Sequence, residues 1–205
     1  MEATWQEWLL DQRSRGTMSV KLVTLDNVGG GWGMQNDGKH YGRTDGTYFE
    51  MIGVKITNAG REVTQWEQPM LRETGGPGAL VLIKARGEEN YLVAAKAEPG
   101  NPRPGRILLA PPLQASKANL KQAHGGKRPP RAELLDEGGV RQTDLPQDGG
   151  RYFEKVNTYS VVEVESEKII LNQNERWFTR DELREAFFAG EVNEHLSQAL
   201  LVALL

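Results

Sequence analysis

A lysine and a glutamate two residues apart, Lys96 and Glu98, are the residues of this sequence best suited to carry out chemistry. They follow an apolar strand and precede the sharp turn Pro99-Gly100-Asn101. Because side chains alternate along a strand, the two groups should share one face. A carboxylate can transfer a proton and a nearby ammonium can stabilise negative charge. Alone, such a pair is more typical of a surface ion pair, but the small apolar residues before it and the turn after it favour the rim of a pocket.

A tryptophan beside an amide, Trp66 and Gln68, forms a second candidate group. An indole can stack on a flat ring while the amide hydrogen-bonds to the edge of that ring. A core tryptophan that precedes a strand is an equally good interpretation of the same residues.

A third group lies where a strand should lead into a short helix. The free N–H groups at the start of a helix suit an anion, and Lys117 would add positive charge for a phosphate. Capping of the helix by Ser116 is the alternative interpretation and is compatible with ligand binding. The polar residues of this group are Gln114, Ser116, Lys117 and Asn119.

Among the remaining basic residues, Arg151 is best placed for an anion, after a polar segment and at the start of a strand. The histidines His40, His124 and His195 lack the spacing of metal ligands. His40 and His124 flank glycines in expected loops and are candidates for a general base, whereas His195 should be structural or exposed in a helix. Acidic residues do not cluster as in a divalent cation site, so we expect no metal.

Composition narrows the class of protein. The 205 residues suffice for one domain with a substantial core, and 23 glycines favour a β-rich chain with many turns. A net charge of -3 favours neither a nucleic-acid surface nor a basic membrane patch, and no apolar run is long enough to cross a bilayer. The absence of cysteine fits a reducing cytoplasm. We therefore expect a cytoplasmic protein with a small-molecule ligand, no nucleic-acid partner and no membrane association.

Local patterns predict an α+β fold in one domain, residues 1–205. Thr4 and Glu7 form a capping box for a first helix up to Arg15, and residues 1–40 comprise that helix and a glycine-rich lead-in. Strands should follow at residues 48–57, 80–85, 91–98, 106–113 and 152–171. The apolar positions change parity near Gly53, which predicts a bulge there.

The second half of the chain should contain a mobile segment and a helical end. Residues 127–150 are polar and rich in proline and glycine, so we expect a flexible loop or a lid. A short helix is expected over residues 116–123. Thr179 with Glu182 caps another helix that should stop at Gly190, and Asn193 caps the last one.

The ordered series of motifs resembles the NDP-hexose 2,3-dehydratase family. The resemblance extends from about Gly38 to the C-terminus, and it depends on the series rather than on any single motif. The matching segments are Trp66-Glu67-Gln68-Pro69, Lys96-Ala97-Glu98-Pro99-Gly100-Asn101, Ala110-Pro111-Pro112-Leu113-Gln114-Ala115-Ser116 with Asn119 and Gly125-Gly126, Arg176-Trp177-Phe178-Thr179, and Val192-Asn193.

This resemblance implies a Nudix-like fold, a mixed sheet flanked by helices, and a carbon-oxygen lyase that needs no metal or other cofactor. Family members act on dTDP-4-keto-6-deoxyglucose in the deoxysugar biosynthesis of antibiotics and other natural products. They are typically twice as long, with two tandem copies of the module. A chain with one copy must form its pocket alone or as a homodimer, and we expect the homodimer.

The resemblance also suggests roles for the candidate residues. Glu98 would be the base or acid, and Lys96 would place charge near an enolate or the diphosphate. The expected substrate-binding residues are Trp66 against thymine, Gln68, Gln114 and Asn119 on the base or sugar hydroxyls, Arg151 or Lys117 on the diphosphate, and Asn101 and Ser116 nearby.

Two other functions fit the same residues. The chain could be a lyase or isomerase that enolises a different small metabolite, or a ligand-binding subunit without catalytic activity. The sequence identifies neither the nucleotide nor the sugar.

Overall fold

In a computed structural model, the strands form a small sheet and a large sheet. The structure describes residues 3–35, 38–57, 60, 62–123, 125–136 and 140–205, so His124 lies outside the described residues. The small sheet is antiparallel, and its strands pair in chain order: β1 (Trp32–Met34), β2 (His40–Arg43), β3 (Phe49–Thr57) and β4 (Gln65–Glu73).

The bulge predicted at Gly53 is wrong. The register between β3 and β4 is continuous from Phe49 opposite Glu73 to Thr57 opposite Gln65, with Gly53 opposite Pro69. Met51 and Ile52 are both half-buried although they point to opposite faces of the sheet. The parity of apolar residues changes because both faces of this sheet are partly covered, so no extra residue is needed.

The large sheet is mixed and carries the core. Its strand order is β11-β6-β5-β10-β9. Strand β5 runs parallel to β10 but antiparallel to β6 and β8. The strands are β5 (Gly78–Ala85), β6 (Asn90–Ala97), β7 (Ile107–Ala110), β8 (Leu113–Ala115), β9 (Arg141–Pro146), β10 (Val156–Val164) and β11 (Glu175–Thr179). The central position of β5 and its hairpin with β6 confirm two of the sequence predictions.

The single strand predicted over residues 106–113 is wrong, because the chain breaks at Pro111-Pro112. Proline has no N–H with which to continue a ladder. β7 pairs with the end of β6, and β8 then pairs with the start of β5. This crossing brings Gln114 beside the end of β6.

Helices cover one face of the large sheet. α1 (Trp5–Ser14) and α3 (Arg180–Phe188) begin with the predicted capping boxes, and α4 (Glu194–Leu204) begins at Asn193. A shorter helix, α2 (Lys117–Leu120), is capped by Ser116. Gly190, with φ of 69°, lies just past α3, as predicted from its freedom to adopt positive φ.

Alternate residues of β5 divide the core into two clusters. Leu80 and Leu82 pack with Phe178 of β11 and with the helix residues Leu9, Leu183 and Leu196. Val81 and Ile83 pack on the opposite face with Leu92, Leu134 and Val162. The α+β class and the helical C-terminus are confirmed; the Nudix-like label stays a prediction.

The expectation of a flexible loop over residues 127–150 is wrong for two stretches of that segment. Ala132–Asp136 is a short 3-10 helix with Ala132 and Leu134 buried, and β9 pairs with β10. Arg131 forms a buried ion pair with Glu175. A long-range pair and a strand partner therefore order a segment whose local composition is typical of a loop.

The strand expected from residue 152 begins at Val156, because Tyr152 pairs elsewhere. Tyr152 forms a parallel bridge with Leu71 of β4, and the N–H of Leu71 donates to the carbonyl of Arg151. This contact joins the small sheet to the segment that leads into β10. Within the described residues, no helix has the length and apolar character needed to cross a membrane.

Candidate active site

A cavity of about 190 Å³ lies where β6, β8 and β10 meet the start of α4. Most of its lining is polar. The lining residues are Glu73, Gly78, Leu80, Lys96, Glu98, Gln114, Ala115, Ser116, Asn119, Lys155, Asn157 and His195. Five of the residues selected from the sequence, Lys96, Glu98, Gln114, Ser116 and Asn119, are thus brought into one wall.

The turn after β6 positions the two charged groups. The Asn101 side-chain nitrogen donates to the carbonyls of Lys96 and Arg106, at 3.4 and 3.0 Å. The N–H of Glu98 also donates to the Arg106 carbonyl, at 3.0 Å. Asn101 itself does not line the cavity, so its amide holds the turn that carries Lys96 and Glu98.

Two side-chain amides orient the Glu98 carboxylate. Gln114 Nε2 donates to Oε1 at 2.7 Å, and Asn193 Nδ2 lies 3.4 Å from Oε2. Asn193 Nδ2 also donates to Gln114 Oε1 at 2.9 Å. Each amide therefore fixes the other as well as the carboxylate, which leaves Glu98 in one defined orientation at the cavity wall.

Lys96 faces this network from the other side. Its Nζ donates to the Gln114 carbonyl at 3.1 Å and lies 3.8 Å from Glu98 Oε1. Burial lowers the pKa of Lys96, and the neighbouring Glu98 carboxylate offsets part of that effect. The cavity thus holds a partly desolvated amine beside an oriented carboxylate.

His195, expected to be structural or exposed, instead lines the cavity. Its Nδ1 lies 2.9 Å from the hydroxyl of the buried Tyr159. Burial lowers the pKa of His195 to about 4; Glu98 opposes this shift, and Lys155 and Lys96 reinforce it. At neutral pH the imidazole is therefore uncharged.

A second ion pair closes the cavity toward the small sheet. Lys155 Nζ lies 2.9 Å from Glu73 Oε2, and both side chains are mostly buried. The ammonium of Lys155 also lies 4.8 Å from the centre of the Tyr152 ring. The cavity consequently includes residues of both sheets and carries two cation–carboxylate pairs.

The other predicted binding residues lie outside this lining. Trp66 Nε1 donates to Gln68 Oε1 at 2.8 Å, and Gln68 in turn donates to the Gly150 carbonyl. Arg151 is exposed and pairs with Asp148 at 2.7 Å. Lys117 lines another cavity, of about 270 Å³, with Val81 and Leu134. The sequence-derived set is thus divided among this cavity, the turn after β6, strand β4, the second cavity and the surface.

A sequence profile of the NDP-hexose 2,3-dehydratase family matches residues 2–204. The chain belongs to this family. It is 29% identical over 202 residues to a dTDP-4-dehydro-6-deoxy-α-D-glucopyranose 2,3-dehydratase of Streptomyces violaceoruber, a match that covers 96% of the chain and 44% of the relative. Enzymes with the same name match from Saccharopolyspora spinosa (29% identity, 87% of the chain, 37% of the relative) and Amycolatopsis orientalis (26%, 77% and 34%). The chain spans less than half the length of these relatives.

Several lining residues of this 2,3-dehydratase family member escaped the sequence analysis. Asn193, which lies behind the lining, was recognised only as a helix cap, yet its Nδ2 contacts Gln114 and Glu98 while its Oδ1 accepts from the N–H of Leu196 at 2.8 Å. A histidine in the first turn of a leucine-rich helix, such as His195, is the signal that could have marked the start of α4 as a site. Lys155 and Asn157 gave no comparable signal, because the pairing of β10 with β5 places them there.

His40 is not among the residues that line this cavity. His40, expected in a loop, lies in β2, with its Nε2 3.1 Å from Glu50 Oε2. Across the part of the chain that the structure describes, no three histidine, aspartate or glutamate side chains group closely enough to hold a metal ion.

Proposed function

We propose that this chain is a carbon-oxygen lyase that removes water across C2 and C3 of a dTDP-4-keto-6-deoxyhexose. The family match and the names of the relatives support this substrate class. The observation that carries the proposal is the cavity wall in which Glu98, fixed by two amides, lies 3.8 Å from the Lys96 ammonium.

The reaction needs a base, a stabilised enolate and an acid. The C4 ketone acidifies the hydrogen on C3, so a base can remove that proton while the electron pair moves onto the ketone oxygen. When the electron pair returns, a double bond forms between C2 and C3 and the C2–O bond breaks. A proton delivered to the departing hydroxyl completes the water molecule.

The cavity residues fit these tasks. We assign proton transfer to Glu98, which is oriented but keeps access to the cavity, and we assign to Lys96 the positive charge near the enolate or the diphosphate. Gln114 and Asn119 are our candidates to orient sugar hydroxyls. The Ser116 hydroxyl accepts from the Asn119 N–H at 3.2 Å and can still donate to a ligand.

The volume of the cavity suits the sugar more than the whole nucleotide. About 190 Å³ is below the range of roughly 300–1,000 Å³ typical of pockets for larger ligands. We therefore propose that the hexose enters the cavity and that the nucleotide lies across its mouth. Trp66 and Gln68 for thymine, and Lys117 or Arg151 for the diphosphate, remain our candidates outside the cavity.

Glu98→Gln tests the assignment. The amide keeps the size of the side chain but cannot accept the C3 proton, so turnover should fall by about a hundredfold or more. Stabilisation by dTDP in a thermal-shift assay should persist, because dTDP lacks the sugar. Glu67→Gln is the matched control, since that carboxylate is exposed on β4 and should leave turnover unchanged. Full activity of Glu98→Gln would remove Glu98 from the mechanism.

The same assays separate the alternatives. Stabilisation by dTDP without exchange of the C3 hydrogen in deuterated water would indicate a ligand-binding subunit. If dTDP does not stabilise the chain and the C3 hydrogen does not exchange, the substrate is a different metabolite.

We also propose that the chain acts in the cytoplasm as a homodimer. The lack of cysteine supports the compartment. Exposed leucines on α4, Leu201 and Leu204, support a protein contact on that helix.

A further inference from the structure

A buried tyrosine, Tyr159, lies behind His195, the histidine that lines the cavity. Tyr159 is fully buried in β10, and its hydroxyl oxygen lies 2.9 Å from His195 Nδ1. Neither residue was assigned a role from the sequence. Their contact places the far side of the imidazole toward the cavity.

The hydrogen bonds of Tyr159 determine which nitrogen of the neutral His195 ring carries the proton. Gln147 Nε2 donates to the phenol oxygen at 3.3 Å, so that contact cannot take the phenol proton. Burial raises the pKa of Tyr159, which keeps the phenol protonated. The Asn157 side chain also contacts the phenol, but its Oδ1 already accepts from the N–H of Gly78 at 3.2 Å. Among the described residues, this leaves His195 Nδ1 as the acceptor for the phenol hydrogen. Nδ1 therefore carries no proton, and in the neutral ring the proton lies on Nε2.

Within the described residues, the Nε2–H group has no hydrogen-bond acceptor. No hydrogen bond to Nε2 forms within the described residues, although the ring lines the cavity. A donor without a protein partner at the wall of a polar cavity is available to a ligand oxygen.

The surroundings keep this imidazole uncharged. Two lysines lie near the ring of His195: Lys96 at the end of β6 and Lys155 just before β10. Two carboxylates are also close, Glu98 on the cavity wall and Glu194, which directly precedes His195 on α4. His195 is the second residue of α4, where the N-terminal end of the helix dipole also disfavours positive charge. A neutral imidazole at a helix N-terminus can polarise a carbonyl through its N–H group.

We propose that the Nε2–H of His195 donates a hydrogen bond to the C4 ketone oxygen of the substrate and to the enolate oxygen that replaces it. This inference rests on the proposed dehydratase function. His195 is then a catalytic residue, and Tyr159 is a positioning residue that fixes its tautomer.

The assignment agrees with the balance of the elimination. The C3 proton passes to Glu98, and the C3–H electron pair moves onto the C4 oxygen, where His195 stabilises it without giving up its proton. The electron pair then returns, the double bond between C2 and C3 forms, and the C2 hydroxyl departs with a proton as water.

Three substitutions test the donor. His195→Phe removes the N–H but keeps a flat ring, and it should lower kcat by about 100- to 1,000-fold, the usual loss for one oxyanion donor. His195→Gln can present an amide N–H near the same place and should regain at least about tenfold of that loss. Tyr159→Phe should lower kcat by about tenfold or more without weakening dTDP binding, because it removes only the hydroxyl that fixes the tautomer.

Nitrogen NMR of ¹⁵N-histidine-labelled protein supplies a readout that a purely structural role would not move. At pH 7 the resonances of His195, assigned by their loss in His195→Gln, should be those of a neutral Nε2–H tautomer. In Tyr159→Phe the two tautomers should mix. An Nδ1–H tautomer or a charged ring in the wild-type chain would overturn the proposal.

The activity assay distinguishes this inference from the proposed function. A wild-type chain that neither dehydrates a dTDP-4-keto-6-deoxyhexose nor exchanges its C3 hydrogen would refute the dehydratase function, and the ketone-donor role with it. A wild-type chain that is active while His195→Phe, folded and stabilised by dTDP, stays within threefold of its rate would refute the role of His195 alone.

Discussion

A neutral histidine at the cavity wall makes the folded chain sensitive to mild acid. The pKa of His195 is about 4 in the folded chain, compared with 6.5 for a histidine in water, and burial of the ring is the largest cause of this shift. Between these two values the unfolded chain binds a proton that the folded chain does not. The contribution of His195 is therefore fully present above pH 6.5 and is lost as the pH falls toward 4.

This linkage predicts a specific loss of stability. Between pH 7 and pH 4.5, the free energy of unfolding should fall by about 2–3 kcal/mol more in the wild-type chain than in His195→Phe. Urea denaturation at a series of pH values measures the difference. Carboxylates contribute mainly at lower pH and occur in both proteins, so they cancel in the comparison. Parallel curves for the two proteins would show that His195 titrates normally.

Sequence reasoning reached part of this residue-level picture. The alternation of side chains along β6 and the turn after it sufficed to bring Lys96 and Glu98 together. The amides that orient Glu98 come from β8 and from the cap of α4, and Tyr159 comes from β10. Those partners depend on which strands pair, a long-range property that local spacing does not encode.

Helix caps illustrate how one residue can serve both an element and a site. Thr179 caps α3 and is not among the residues that line the cavity, whereas Asn193 caps α4 and also donates to Gln114 and approaches Glu98. Removal of either cap leaves the first N–H groups of a helix without a side-chain acceptor. Loss of Asn193 additionally removes one of the two amide donors that orient the Glu98 carboxylate.

The two caps provide a matched pair of variants. Thr179→Ala should cost about 1 kcal/mol of unfolding free energy and leave kcat unchanged. Asn193→Ala should cost at least as much and should also lower kcat by about tenfold or more, because Glu98 and Gln114 lose a shared donor. Chemical denaturation and steady-state kinetics on both variants check this. Equal kcat in the two variants would show that Asn193 acts on the helix alone.

The elements that were predicted well are those with local signals. Capping boxes at Thr4 and Thr179 involve residues three apart, and both helices begin where these boxes indicate. Residues 127–150 were misjudged because Arg131 finds Glu175, 44 positions away, and because β9 pairs with β10. Burial by itself would raise the pKa of Glu175, but hydrogen bonds from Arg131 and Asn172 outweigh that effect and the pKa is lowered. The local composition of the segment contains none of this information.

At the scale of the whole molecule, the cavity depends on contact between the two sheets. Glu73 ends β4 of the small sheet and Lys155 precedes β10 of the large sheet, and the bridge between Leu71 and Tyr152 holds these segments side by side. The small sheet has little core of its own, so this contact also gives it a fixed place. The sequence predicted strands in both regions but could not show that they form separate sheets which meet at the site.

The exposed leucines of α4 make the assembly testable. Leu196 and Ala199 of this helix are buried against the large sheet, whereas Leu201 and Leu204 are 57% and 48% exposed and lie three residues apart, on one side of the helix. A paired apolar surface of this kind is typical of a protein interface. The proposed homodimer would cover these side chains with a second copy.

Sedimentation equilibrium should therefore give twice the 22.9 kDa mass of the chain. Leu201→Glu combined with Leu204→Glu should shift the protein to the monomer, because two carboxylates would lose their hydration on association. Ile170→Glu is the control, since Ile170 is 87% exposed outside α4 and its replacement should leave the dimer intact. A monomeric wild-type chain that retains dehydratase activity would show that one copy forms the site alone, and an unchanged mass in the double variant would place any interface away from α4.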